Sequence, residues 1–189
     1  FEDITYQILE NQPRLSYGVS VSDVNNDGNF DFIVTGFGFN NLALTNKKGI
    51  LFNFIDQSLF LDKNRKTIGV ASCDIDQDGY EEIYFLNTDT YSGNKIYSDR
   101  LLDFDGNNFF DLFELEINQK NLNLTAGRSV VCVDRNGDGA YGIYVANYGG
   151  PTRFYEKDGN KIIDKASELG IDKITAVSYT HLTLPTTWS

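Results

Sequence analysis

A single pattern occurs three times along this chain, and a chain built that way has few folds open to it. The copies run Gly18-VSVS-Asp23-VNNDGNFD-FIVTG, Gly69-VASC-Asp74-IDQDGYEE-IYFLN and Ser129-VVCV-Asp134-RNGDGAYG-IYVAN, with lead aspartates 51 and 60 residues apart. Each opens on alternating small and apolar residues, turns through an Asp/Asn/Gly cluster, and continues into a β-branched and aromatic run: Phe32-Ile33-Val34, Ile83-Tyr84-Phe85 and Ile143-Tyr144-Val145. That is the signature of two antiparallel strands joined by a loop. A second hairpin follows in every copy. Leu42–Leu44 turns through Asn46–Gly49 into Ile50–Phe52, the segment from Ile96-Tyr97 turns at Asp105–Asn108 into Phe109-Phe110, and Phe154-Tyr155 turns at Lys157–Asn160 into Ile162-Ile163. Asn and Gly suit such turns because they reach positive φ cheaply.

Four short strands repeated about every 50 residues predict an all-β chain of propeller blades, with repeats near 16–67, 68–126 and 127–175. Helix is expected to be sparse, limited to a turn at Lys165–Leu169, with Asp111–Lys120 open to either reading. Closed propellers need about four to eight blades. Three blades therefore predict an incomplete propeller, 1–175, that belongs to a longer parent and is completed by its remaining blades. The absence of Met and the start at Phe1-Glu2-Asp3 point the same way, to a mature or internal piece. The last segment breaks the pattern: residues 176–189 are Thr-rich, hold the chain's one His (His181) and one Trp (Trp188), and contain SYTHLTLPTT. That string resembles translated sequencing-adapter DNA, so the tail is expected to be an artefact and carries no functional argument. The remaining body has no His, which removes His-dependent catalysis and His-ligated metals.

The lead loops carry the chemistry. In the first, Asp23, Asn25, Asp27 and Asp31 place side-chain oxygens at positions 1, 3, 5 and 9; in the second, Asp74, Asp76, Asp78 and Glu82 do the same. A hard cation such as Ca²⁺ takes six to eight oxygens at about 2.3–2.6 Å, and alternate side chains of a tight loop can supply them. Gly28 and Gly79 allow the reversal at position 6, and the position-7 carbonyls of Asn29 and Tyr80 are further donors. Without a cation the second loop would crowd four carboxylates together, each pair at 4 Å repelling by about 1 kcal/mol in water and about 4 kcal/mol at an effective dielectric of 20. The third loop keeps Asp134, Asn136 and Asp138 but has Gly142 at position 9 and adds Arg135, which predicts weak calcium binding or none. Solvated Asx-rich turns with no metal are the plain alternative for all three. EF-hand and dockerin loops share the opening motif but need an acid at position 12, where this chain has Val34, Phe85 and Val145.

These loops resemble the FG-GAP/VCBS calcium-loop repeat, the blade unit of integrin α-chain propellers. The stretches LSYGVSVSDVNNDG and GVASCDIDQDGYEEIYFLNT, across residues 1–174, are similar to the N-terminal half of the cartilage acidic protein 1 family, the ASPIC/UnbV-type proteins. The resemblance implies an extracellular, seven-bladed, calcium-binding propeller of which these are the first three blades. It implies ligands at Asp23, Asn25, Asp27, Asp31, Asp74, Asp76, Asp78 and Glu82, and a third loop that lacks the ninth-position acid at Gly142.

Composition limits the partners. Sixteen Lys and Arg against 27 Asp and Glu give a net charge of -11, the wrong sign for nucleic acid. No stretch approaches the roughly 18 apolar residues of a membrane span. Cys73 and Cys132 sit one residue out of register before their loops, which favours two buried free thiols facing opposite ways over a bridge. Asn123-Leu124-Thr125 is an N-glycosylation triplet in a polar stretch that is expected to be exposed. The expectation is a secreted calcium-binding propeller that acts as an adhesion platform for a protein, matrix or glycan partner, and not an enzyme. A module of a secreted hydrolase or lyase, or a structural spacer, are the alternatives.

Overall fold

In a computed structural model, described for residues 1–3, 5–8, 12–47, 50–53 and 59–174, the chain forms three four-stranded antiparallel sheets. The tail of residues 176–189, with His181 and Trp188, lies outside the described residues. The first sheet is β1 (Val19–Ser22), β2 (Asp31–Val34), β3 (Leu42–Lys47) and β4 (Ile50–Asn53). The second is β5 (Thr67–Cys73), β6 (Glu82–Asn87), β7 (Arg100–Phe104) and β8 (Phe109–Asp111). The third is β9 (Gly127–Val133), β10 (Gly142–Asn147), β11 (Arg153–Asp158) and β12 (Lys161–Asp164). Each is a meander with strands in sequence order, the form of a propeller blade. The three copies are in one register: Ser22 pairs with Asp31, Cys73 with Glu82 and Val133 with Gly142, so every lead loop closes at the same rung.

Several local expectations change, among them the placing of Asn46 and Lys47 in a turn rather than in β3, and the open reading of 111–120 is settled. The third strand of the second sheet begins at Arg100, not Ile96, because the Asp89 carboxylate accepts the backbone N–H of Ile96 (2.8 Å) and of Tyr97 (2.9 Å) and draws both away from the ladder. Lys157 and Asp158 belong to β11, and the reversal there is made by Gly159-Asn160 alone. Within 111–121 the chain makes two 3₁₀ turns, Leu112–Glu114 and Glu116–Asn121, the first capped by the Asp111 side chain.

The sheets stack front to back. One core joins Ile33 and Ala43 of the first sheet to Ile83, Phe85 and Leu102 of the second. The other joins Tyr84, Leu86 and Leu101 of the second to Ile143, Val145, Tyr155 and Ile162 of the third. Ile83/Phe85 and Tyr84/Leu86 lie on opposite faces because strand side chains alternate. The same relation explains the cysteines. Cys73 shares a face with Tyr84, Cys132 with Ile143, and the two bond in a disulfide with Cα atoms 6.3 Å apart. The expectation of free thiols fails because facing residues of adjacent blades must have opposite parity, so the one-residue offset favours the bridge.

A buried polar seam also ties the second and third sheets. Asp99, fully buried, accepts from the Tyr84 hydroxyl (2.7 Å), the Asn87 N–H (2.7 Å) and the Asn123 amide (2.6 Å), and pairs with the buried Lys95 ammonium. The Asn123 amide nitrogen also donates to Asn147 (3.0 Å) and has no solvent exposure. This overturns the expectation that the triplet's Asn123 is exposed: the polar residues around it seal the seam.

Among the described residues, two apolar faces have no neighbouring sheet. Val19 (61% exposed) and Val21 (48%) lie beside the half-buried Phe32 and Val34 on the first sheet, and Val131 (44%) beside the half-buried Val133 and Tyr144 on the third. These are the back and front faces that the stacking rule would pair with further sheets.

Candidate metal centre

All three lead loops share one backbone path. Positions 4 and 6 take positive φ in each: Asn26 (53°) and Gly28 (81°), Gln77 (64°) and Gly79 (91°), Gly137 (73°) and Gly139 (89°). Glycine at position 6 avoids the cost of a Cβ in that region. The reversal turns backbone N–H groups inward, and these fix the carboxylates. Asp23 accepts from Asp27 (2.9 Å) and Gly28 (2.8 Å), Asn25 Oδ1 from Asp27 (3.1 Å), and Asp27 Oδ1 from Asn29 (2.9 Å). In the second loop Asp74 accepts from Gln77 (2.6 Å) and Gly79 (3.0 Å), Asp76 from Asp78 (3.3 Å), and Asp78 from Tyr80 (2.8 Å).

The position-9 acids differ from the rest in being buried. Asp31 accepts from the Val24 N–H (3.2 Å) and Glu82 from the Ile75 N–H (2.7 Å), each anchored across its loop. Burial pushes the Glu82 carboxyl up to about 7, only partly offset by the Ile75 N–H and the Lys157 charge.

Asp74, Asp76 and Glu82 bring carboxylate oxygens within 4.8 Å of one another, the one such trio among the described residues. Two ligands of a calcium ion at about 2.3–2.6 Å are at most about 5.2 Å apart, so every pair within the trio falls inside the span of one ion. The donor set, all hard oxygen, fits that ion. Asp78 stays outside the trio, as do Asp23, Asp27 and Asp31 of the first loop, whose carboxylates do not converge to that extent.

The third loop departs for a reason visible in its packing. A Cβ on Gly142 would lie 2.4 Å from the Phe154 ring, so the room for a ninth-position acid is filled by an aromatic side chain. Asp134 accepts from Gly137 (2.7 Å) and Gly139 (3.0 Å), and Asn136 donates to Asp138 (2.6 Å), a self-satisfied turn. Arg135 is held by Glu156 at 2.5 Å, away from an ion-coordinating role.

Two residues at the second loop, Lys157 and Asp103, were not marked by the motif. Lys157, on β11 of the next sheet and only 3% exposed along its side chain, donates to Asp76 (2.5 Å), Glu82 (3.3 Å) and Asp103 (2.6 Å). Burial opposes its charge, but hydrogen bonds to Asp103 and Asp76 and the nearby Glu82 outweigh that and raise its pKa. The signal lay in comparing third strands: Asn46, Phe104 and Lys157 occupy equivalent rungs, and only one is a cation.

Repeated four-stranded blades with acid-rich β1–β2-type loops define an FG-GAP-type propeller repeat protein, and an FG-GAP-like repeat model matches residues 23–85. Cartilage acidic protein 1 of Xenopus tropicalis is 41% identical over 87% of this chain and 29% of its own length. The Homo sapiens protein is 39% identical over 93% of the chain and 31% of its length, and that of Mus musculus 40% over 93% and 32%. The chain belongs to the cartilage acidic protein 1 family and spans about a third of the length of these relatives.

Proposed function

We propose that the chain forms part of a calcium-stabilised extracellular β-propeller that serves as a binding and adhesion platform for a protein or matrix partner. The observation that carries this reading is the convergence of Asp74, Asp76 and Glu82 in a loop that joins a blade's first two strands. A cation there would neutralise the carboxylates and make metal binding part of the folding free energy. The ligand set extends to Asp78 and the Tyr80 carbonyl in the second loop, and to Asp23, Asn25, Asp27, Asp31 and the Asn29 carbonyl in the first. The third loop, with Asp134, Asn136 and Asp138, is left weak. A disulfide supports an oxidising compartment, as do relatives named for cartilage. Among the described residues no helix is long and apolar enough to cross a membrane. Further blades of a longer parent would cover the two open sheet faces.

A groove of about 830 Å³ at the opposite end of the inner strands supports the platform reading. Tyr17, Phe37, Tyr91 and Tyr148 line it with Lys66 and Arg128, whose guanidinium lies 5.4 Å and 5.1 Å from the Tyr91 and Tyr148 ring centres. Aromatic and arginine side chains of this kind dominate binding energy at protein interfaces. The test is thermal unfolding in chelator, calcium and magnesium, with binding to immobilised cartilage matrix in parallel. Stabilisation by calcium, and matrix binding lost on Arg128→Ala with Tyr91→Ala, is expected. No calcium effect and no binding would refute the proposal.

A further inference from the structure

The second loop already has a cation beside it, and that cation comes from another blade. Lys157 reaches from β11 of the third sheet across the interface to Asp76, Glu82 and Asp103 of the second, with its side chain removed from solvent. Asp76 and Glu82 belong to the trio that a metal ion would use. The ammonium therefore draws on two of the carboxylates that a bound ion would use. At the preceding interface the equivalent rung carries Phe104, which packs into the core that holds Val24 of the first loop and meets the Tyr80 ring edge-on at 5.3 Å. The two loops differ in this respect although their motifs match.

Resting on the calcium reading above, we infer that Lys157 is an internal counter-cation of the second loop, which balances its carboxylates in the metal-free state and must be displaced when calcium enters. An ammonium and a divalent ion cannot share Asp76 and Glu82 at contact distance without strong repulsion. Calcium at this loop accordingly breaks a contact between the second and third blades, including the bond to Asp103. The loop's affinity is thereby coupled to the blade interface, a coupling for which the first interface lacks the lysine.

The experiment uses the full chain. Calorimetric Ca²⁺ titration is run on Asp31→Asn, which disables the first loop, with and without Lys157→Met. Removing the competing charge is expected to tighten the remaining site about tenfold or more. Equal affinities in the two variants overturn the inference. A second measurement needs no substitution: an amine-acylating reagent and mass spectrometry read Lys157 in chelator and in saturating calcium. Protection in chelator and modification in calcium support displacement. Protection that persists at calcium levels where the unmutated chain shows a completed binding isotherm overturns it. An unmutated chain that gives no binding heat at all refutes the calcium reading itself, which separates the two failures.

Discussion

Gly142 separates the third loop from the other two, and the Phe154 ring beside it is the reason. Restoring the motif with an acid at this position would therefore fail for want of space. Gly142→Ala is expected to destabilise the chain by about 1–3 kcal/mol through overpacking, measured by denaturant unfolding, and Gly142→Ala with Phe154→Leu to recover much of the loss. Asn123 makes a second residue-scale case. Its amide is committed to Asp99 and Asn147, so expression in a glycosylating host should leave the intact mass of peptide 121–128 unchanged; a glycan there would contradict the buried seam. The clustering of Asp74, Asp76 and Glu82 was legible from spacing alone, because positions 1, 3 and 9 of one loop are local. Asn123 and Lys157 were not, because their partners lie 24 and 81 residues away.

At the scale of elements, the instructive case is the pair of cysteines. Alternation along a strand was legible, but which faces meet depends on how sheets stack, and front-to-back stacking reverses the inference drawn from one sheet. The Cys73–Cys132 bridge closes 59 residues of sequence, and its loss is expected to cost about 4 kcal/mol on the loop-entropy model. Cys73→Ala with Cys132→Ala, unfolded in urea, gives the number. The equivalent rungs of the first interface hold Ser22 and Ser72, whose buried hydroxyls have no hydrogen-bond partner. Ser22→Cys with Ser72→Cys is expected to form a second bridge that raises the unfolding midpoint. A thiol assay that still counts two free sulfhydryls would show that the two interfaces differ in spacing. Strand positions were mostly readable from the repeat. The start of the third strand at Arg100 was not, because Asp89 redirects the backbone of Ile96 and Tyr97.

For the whole molecule, stacking leaves a back face at one end, with Val19 and Val21, and a front face at the other, with Val131. Such faces are complementary but not the same, so copies of this chain would join head to tail and need not close. Sedimentation of the isolated chain is expected to show concentration-dependent association that Val21→Lys with Val131→Lys suppresses; a monomer at every concentration would mean that the end faces are not adhesive. The blade architecture was legible because the repeat is periodic, while the order in which faces meet was not.

Calcium is the point on which the functional account rests, and calorimetric titration of the full chain after chelator treatment addresses it, with Asp31→Asn and Glu82→Gln combined as the control. Two binding events in the unmutated chain, both lost in the double variant, are the predicted result. A chain that is folded and β-rich by circular dichroism yet takes up no calcium would contradict it and make the loops plain turns.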